Sequence, residues 1–463
     1  MKELIKTLFE HKTLALLGFG REGRSTYNLL RLVLPVKTIT IIDENEEVRN
    51  DLLLKKDANL HFQTGKACMQ LIDEYDIAIK SPGIPSNTLP TKLNRVQIIS
   101  QSDIFLQYYG HQTIGVTGTK GKSTTSSLIF HILKTAGYKT LLVGNIGVPP
   151  FDCIEEIAPD SVIVMELSSH QLQYVTHAPH IAVLLNLFQE HLDHYYTYEE
   201  YQSAKFNISK YQTAKDFFIY NSDNEILMRL LNKTPDTASV PIAFSLEKET
   251  TALRLRNHWI ELQSGTEITR LYDTREPMPL KGHHNLYNVM AAAASCYLSG
   301  VKLESISLGI KSFAGLEHRI EFVGNYGDIE WYNDSISTIP EATIEAVKTL
   351  KNVDTLILGG FDRGIEYEIL YPFLITSGIS NMIFVGEAGA RIMNEFREFG
   401  VNQIKLHIAT DYLQVVGIAK TVTEKGKICL LSPAAASYDM FKNFEERGNT
   451  FKKYVREPAA REK

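Results

Sequence analysis

The sequence predicts an α/β protein of three domains. Short runs rich in Val and Ile recur between helical patterns from end to end, the way parallel sheets covered by crossover helices read. The chain also restarts three times with a strong strand followed by a loop of Gly or polar residues, at Leu14 to Leu17, Thr113 to Thr117 and Ile329 to Tyr332. At 463 residues it is too long for one compact core and long enough for roughly three domains of ~150 residues. The restarts divide it at 1–103, 104–315 and 316–463, with boundaries near Asp103 and Gly315.

Composition narrows the function. With 44% apolar and 22% charged residues the chain is ordinary globular protein. Lys and Arg number 48 against 54 Asp and Glu, a net charge of -6, which argues against a nucleic-acid partner. The longest apolar runs, such as Val162 to Met165 and Ile181 to Leu185, fall far short of the ~18 residues that span a bilayer, so no membrane insertion is expected. The first residues carry Glu10 and His11 and lack a long apolar stretch with a small-residue cleavage site, so the expected location is cytoplasmic. Cys68, Cys153, Cys296 and Cys429 are widely separated and form no CxxC pair; they read as small buried apolar residues rather than a disulfide or zinc framework.

In the first block, Gly18-Phe-Gly20-Arg-Glu-Gly23 follows the strand Leu14 to Leu17 and precedes a helical pattern at Tyr27, Leu29 and Leu30, and Asp43 ends a second strand. This is the dinucleotide fingerprint in a Rossmann-like setting. Taken alone it points to a nicotinamide-dependent oxidoreductase. The geometry requires only a diphosphate on the helix N-terminus and an acid near a ribose or base edge, and a UDP-sugar satisfies it equally.

In the central block the strand Thr113 to Thr117 runs into Gly118-Thr119-Lys120-Gly121-Lys122-Ser123-Thr124, followed by the helical pattern Leu128, Ile129, Ile132, Leu133. Glycines let backbone N–H groups approach a polyphosphate, the helix N-terminus adds a positive dipole, Lys122 can reach the β- and γ-phosphates, and Ser123 can ligate Mg²⁺. Val116 stands where a strict Walker A pattern has its first Gly, so the loop is P-loop-type with the Gly-Lys-Ser core kept. The strand Val162 to Met165 ends on Glu166, where α/β sheets hold ligands. The strand Ile181 to Leu185 leads through Asn186 to Glu190-His191-Leu192-Asp193-His194. Thr197 with Glu200 forms a capping-box pattern, predicting a helix from Tyr198 to about Ser209 that carries Lys205. By themselves His191 would be a surface or core histidine and Lys205 a solvated lysine. Alternation over about 235–280, as in Ile260-Glu261-Leu262 and Pro277-Met278-Pro279, suggests antiparallel strands beside the main sheet.

These motifs, with Gly144-Asn-Ile-Gly147, Glu166-Leu-Ser-Ser169 and Lys205, resemble the Mur ligase family in order and spacing. The third block agrees through Gly315-Leu-Glu-His-Arg-Ile-Glu321, Asn333-Asp-Ser335, Gly359-Gly-Phe-Asp-Arg363, Leu431-Ser-Pro433 and Phe441-Lys-Asn-Phe-Glu-Glu-Arg-Gly448. The resemblance covers nearly the whole chain, and its closing stretch is most similar to members that add glutamate to UDP-N-acetylmuramoyl-L-alanine. It implies a cytoplasmic, monomeric, ATP-dependent amide ligase of peptidoglycan synthesis working through an acyl phosphate, with a Rossmann-like UDP-binding domain, a central ATPase domain and a C-terminal Rossmann-like domain for the amino acid.

Residue by residue, the resemblance implies ATP contacts from Gly118, Thr119, Lys120, Gly121, Lys122, Ser123, Thr124 and Asn288, and from Arg319 and Asp334 in the third block. It implies two Mg²⁺ sites, one at Ser123 and Glu166 and a second involving His191 and a carbamylated Lys205, with Lys122, Lys205, His191 and Glu166 as the catalytic set. The UDP-substrate would meet Gly18, Gly20, Arg21, Glu22, Gly23, Asp43 and Gly83, and its muramoyl part Asn145, Ser168 and Gln171. Glutamate would meet Thr338, Arg363, Ser437 and Phe444. For Arg319 and Arg363 the bland alternative is a solvated arginine, and Phe444 could equally be core packing, since Tyr438, Phe441 and Phe444 recur at helical spacing.

Four positions depart from the family pattern. Ile336 stands where a Lys usually follows Asn333-Asp-Ser335, His170 replaces a usual Phe, and Arg21 and Glu22 replace small or apolar residues. The expected amino acid is D-glutamate, with L-glutamate as the alternative. Outside amide ligases, the nicotinamide oxidoreductase and an ATP-driven binding protein remain the competing classes. Folylpolyglutamate synthases share the Gly-Lys-Ser loop but lack a UDP-binding first domain of this kind.

Overall fold

The computed structural model describes residues 1–51, 54–189, 195–234, 238–280, 282–399 and 403–457. Among the described residues twenty strands form three sheets. The first contains β1 (Leu14–Leu17), β2 (Ile39–Asp43), β3 (Leu60–Thr64), β4 (Ile77–Lys80) and β5 (Gln97–Ile99), in the order β3-β2-β1-β4-β5, all parallel. The strand order reverses between β1 and β4, and such a switch point opens a crevice at the carboxyl ends of the strands. The glycine fingerprint lies there.

The second sheet contains β6 (Thr113–Thr117), β7 (Thr140–Gly144), β8 (Val162–Glu166), β9 (Ile181–Leu184), β10 (Phe217–Asn221), β11 (Val240–Ser245), β12 (Leu253–Arg256), β13 (Trp259–Ser264) and β14 (Glu267–Asp273). Its order is β14-β13-β12-β11-β10-β9-β6-β8-β7. Strands β6 to β11 pair in parallel, and β12, β13 and β14 extend the sheet as an antiparallel ribbon. The expected antiparallel insertion is therefore present over 253–273. Pro277-Met278-Pro279 is not strand, since proline gives a ladder no N–H.

The third sheet contains β15 (Glu321–Tyr326), β16 (Ile329–Asn333), β17 (Val353–Gly359), β18 (Asn381–Val385), β19 (Lys405–Ala409) and β20 (Ile428–Leu431), ordered β15-β16-β20-β17-β18-β19. Only the hairpin β15–β16 is antiparallel. Every residue of β17 and β18 is buried, which is why these strands read as continuous apolar runs.

The chain separates into two compact units, Met1–Met278 with His283–Phe313, and Pro279–Gly282 with Ala314–Lys463. The first holds two sheets because one core runs through both, from Phe9, Leu16 and Ile41 by way of Phe105 and Phe151 to Met165 and Leu184. Each such side chain contributes about 1.5–3 kcal/mol on burial. All four cysteines are free and buried. Among the described residues no helix is long and apolar enough to cross a membrane.

Candidate functional site

In the first unit the site grows from the carboxyl ends of β6, β8 and β9. After Thr117 the backbone turns through Gly118 and reaches Gly121 at φ +86°, a left-handed conformation suited to glycine, and the helix Lys122–Thr135 starts at once. The loop is clasped by Asn186 at the end of β9: its Oδ1 accepts from the Lys120 N–H at 2.8 Å, and its Nδ2 donates to the Lys120 carbonyl at 3.0 Å. The Thr119 hydroxyl bonds the Tyr201 hydroxyl at 2.8 Å and accepts from the Phe188 N–H at 2.9 Å. The loop is thereby held in place.

Two lysines converge on it. Lys122 Nζ donates to the carbonyls of Gly118 and Thr119, each at 3.0 Å. Lys205, on the helix Tyr198–Lys210 and only 2% exposed, donates to the same Gly118 carbonyl at 2.9 Å with its ammonium 5.1 Å over the Tyr201 ring. One carbonyl oxygen therefore draws two cationic groups to within about 6 Å of each other, a spacing at which like charges disfavour one another.

Glu166 closes β8 fully buried. Its Oε1 accepts from Asn145 Nδ2 at 2.7 Å, while Oε2 is buried without a hydrogen-bond partner. A buried carboxylate oxygen without a partner is costly, and a hard cation would satisfy it. The donor set therefore suits Mg²⁺. Ser123 lies half-buried in the first turn of the helix, and His191 falls outside the described residues. Asn288 is buried and its Oδ1 accepts from Thr125 Oγ1 at 3.2 Å.

The first sheet adjoins this region within the same unit. Arg21 Nη2 donates to the Gly144 carbonyl at 2.9 Å, and Gln171 Nε2 donates to Glu22 Oε1 at 2.6 Å. The expected UDP and muramoyl positions are thus in contact through side chains. Asp43 accepts from the Phe19 N–H at 2.8 Å and so fixes the fingerprint turn. A Cβ on Gly23 would lie 2.2 Å from the Gly18 carbonyl oxygen, which is why the helix can pass so close to the turn. Gly20 is that helix's N-cap, and Gly83 is exposed in the turn after β4. Ser168 caps the short helix Ser169–Leu172 in a reciprocal capping box with Gln171. Thr197 caps its helix as expected, although the Glu200 carboxylate accepts from the Tyr196 N–H rather than from Thr197.

In the second unit the remaining positions gather at the carboxyl ends of β16, β17 and β20. Asp334 is 1% exposed; its oxygens accept from the Ile320 N–H at 3.1 Å and Ser432 Oγ at 2.7 Å, and burial pushes its carboxyl up to about 6. Arg319 is exposed. Arg363, also exposed, donates to the Thr338 carbonyl at 3.0 Å, which joins two of the expected glutamate positions. Ser437 is buried and Phe444 half-buried. The helical spacing of Tyr438, Phe441 and Phe444 does not mark one helix: Asn443 accepts from the Glu446 N–H and starts the helix Phe444–Arg456, so the first two precede it.

Sequence reasoning passed over several supports of this arrangement. Arg447, 1% exposed, donates to Ser335 Oγ at 2.9 Å and to the carbonyls of Ser335 and Ala436 at 2.8 and 3.0 Å. Arg391 grips Asp362, beside Arg363, with bonds of 2.6 and 2.9 Å and holds that carboxyl below its usual range. Arg447 belongs to a quoted motif, yet spacing does not reveal a guanidinium turned inward. Arg391 has no local signal.

Residues 116–296 match the model of the Mur ligase middle domain. The chain belongs to the Mur ligase family, whose members are ATP-dependent amide-bond-forming ligases. It is 33% identical to the UDP-N-acetylmuramoylalanine–D-glutamate ligase of Acetivibrio thermocellus over 97% of each chain. It is 35% identical to the enzyme of the same name from Clostridioides difficile, over 96% of this chain and 98% of that one. Among solved structures, MurF from Acinetobacter baumannii shares the fold with a TM-score of 0.57 at 17% identity, covering 96% of this chain and 92% of that one. MurF from Thermotoga maritima, solved with ADP, matches at 0.55 and 17% identity, covering 90% and 95%.

Proposed function

We propose that this chain joins D-glutamate to UDP-N-acetylmuramoyl-L-alanine at the expense of ATP in peptidoglycan precursor synthesis. The observation that carries the mechanism is the convergence of Lys122 and Lys205 on the Gly118 carbonyl, in front of a helix N-terminus and beside the unpartnered oxygen of Glu166. A polyphosphate is the anion that suits such a cradle. The near full-length similarity to D-glutamate ligases supports the choice of substrates.

The terminal carboxylate of the muramoyl substrate is a poor electrophile. It attacks the γ-phosphorus of ATP, the bond from that phosphorus to the bridging oxygen breaks, and ADP leaves. The amine of glutamate then attacks the acyl phosphate; a proton leaves the nitrogen, phosphate departs and an amide remains. Lys122 and the N–H groups of 118–124 neutralise the phosphate charge as it moves. Ser123 and Glu166 would hold one Mg²⁺, and His191 with Lys205 as its carbamate a second. These ions supply further charge neutralisation. A carbamate turns the Lys205 cation into an anionic oxygen donor.

Asn288, Arg319 and Asp334 would contact the nucleotide, and Thr338, Arg363, Ser437 and Phe444 the glutamate. We assign the UDP-substrate to 1–103, ATP and catalysis to 104–315 and the amino acid to 316–463, a division supported by the three sheets, and expect a cytoplasmic monomer. The test is phosphate release with UDP-N-acetylmuramoyl-L-alanine and ATP, run with D-glutamate and with L-glutamate. Release with the D-isomer alone is expected. Release with the L-isomer alone overturns the choice of amino acid, and release with neither overturns the function.

A further inference from the structure

Lys80 is the last residue of β4, in register with Leu17, the last residue of β1, and so stands level with the start of the fingerprint turn. It is 2% exposed. An ammonium carries three donors, yet the bond made by this one is to the Ser81 carbonyl at 3.4 Å, longer than an ordinary N–H···O contact. Beyond that it lies 5.6 Å over the Tyr174 ring. The carboxylate whose charge favours its ammonium is Glu22, itself 8% exposed and engaged by Gln171 Nε2 at 2.6 Å. Burial lowers the ammonium to about 8 and raises the Glu22 carboxyl, so each opposes the cost of the other. A buried cation bonded this poorly is expensive unless something completes its shell.

Its surroundings identify the missing partner. The fingerprint turn starts level with it and Gly83 follows three residues on in the chain, both positions expected for the nucleotide half of the substrate. Tyr174 lies under its ammonium, and Gln171, on the short helix Ser169–Leu172 that belongs with the muramoyl half, holds its counter-charge Glu22. A nucleotide-sugar has one group between those halves, its diphosphate. Ser81 Oγ ties the two strands' turns together by donating to the Gly18 carbonyl at 2.9 Å, so the turn next to Lys80 in the chain is preformed.

Resting on the functional reading above, we propose that Lys80 binds the diphosphate of the UDP-linked substrate, and that Glu22, held by Gln171, is the counter-charge that keeps the ammonium in place while the site is empty. Glu22 at a position where small residues are usual then has a reason. It balances a cation that the ligand later shares.

The test compares wild type with Lys80→Met and Lys80→Arg. With Lys80→Met, the KM for UDP-N-acetylmuramoyl-L-alanine should rise about 10- to 100-fold, the range for loss of a charge-assisted hydrogen bond. The kcat and the KM values for ATP and D-glutamate should stay within about twofold, and Lys80→Arg should recover at least half of the lost affinity on a logarithmic scale. Ligand-observed NMR should show UDP binding weakened and uridine binding unchanged. Equal losses for UDP and uridine, or an unchanged KM, overturn the proposal. Should Lys80→Met not fold, the wild-type Lys80 Cε resonance, assigned by its absence in Lys80→Arg, must shift with UDP and not with uridine. A wild-type protein that binds no UDP compound overturns the functional reading as well, whereas normal turnover with an unchanged Lys80→Met profile overturns only this one.

Discussion

Replacing Asp334 by Asn should make the protein more stable while costing it activity, and the gain should vanish in acid. The carboxyl is 1% exposed and burial raises it from the ordinary 3.8 to about 6. That climb corresponds to about 3 kcal/mol of penalty for keeping the group ionised at neutral pH. Because the folded state holds the proton more tightly than the unfolded one, the favourable contribution is complete below pH 3.8 and is lost as pH rises through about 6. Asn carries no such penalty. Its oxygen can still accept from the Ile320 N–H, and its amide can donate to Ser432 Oγ, whose own proton can turn to Thr343 Oγ1 at 3.1 Å. The Ser337 hydroxyl, which also bonds the carboxyl, can turn to accept from the second amide hydrogen. Urea unfolding followed by Trp331 fluorescence, in a Trp259→Phe background so that the other tryptophan is silent, measures the difference from pH 4 to 8. Asp334→Asn should exceed wild type by up to about 3 kcal/mol at pH 8 and approach it near pH 4. A difference that does not change with pH, or a variant that is weaker at pH 8, refutes the reasoning.

Three further outcomes follow from the sites above. Lys122→Ala should lower turnover by about 10²-fold or more with the fold intact, and turnover within a few-fold of wild type removes the lysine from phosphoryl transfer. Lys205→Ala should lose activity and regain part of it when a small carboxylic acid is added, and ¹³C-bicarbonate should give the wild type a carbamate resonance that the variant lacks; full activity without additive contradicts the carbamate. Gly448→Ala should destabilise the protein by about 1–3 kcal/mol, as overpacking does, because its Cβ would lie 2.1 Å from His318 Nδ1 and 2.9 Å from Asn333 Nδ2. An unchanged urea midpoint would show that His318 can move aside.

The fold was legible where one physical rule governs a contiguous stretch. Parallel strands buried on both faces cannot alternate, so β1, β6, β9 and β17 announce themselves as apolar runs, and the 118–124 loop is readable because strand, glycines and helix follow one another directly. Spacing misled where a cap intervened. Tyr438, Phe441 and Phe444 keep a helical period, but Asn443 takes the Glu446 N–H and starts the helix afterwards. The Asn-x-x-Glu signal was present in the sequence and outranks a period of three aromatics.

What stayed hidden were the charges whose partners come from distant segments. Lys80 and Glu22, Lys205 and the Gly118 carbonyl, Arg447 and Ser335 each join parts of the chain that no local pattern connects. Surface propensity assigns every one of these side chains to water, since Lys, Arg and Glu are almost never fully buried without a partner. Their burial runs against that propensity and against the cost of desolvation. Arg447 recovers the cost within the protein, through three oxygen acceptors from two loops. Lys80 does not, having one long bond, and Glu166 keeps an oxygen with none. The unequal satisfaction of these groups separates braces from binding positions: a charge already saturated by the chain holds loops in place, and one left short is positioned for a ligand.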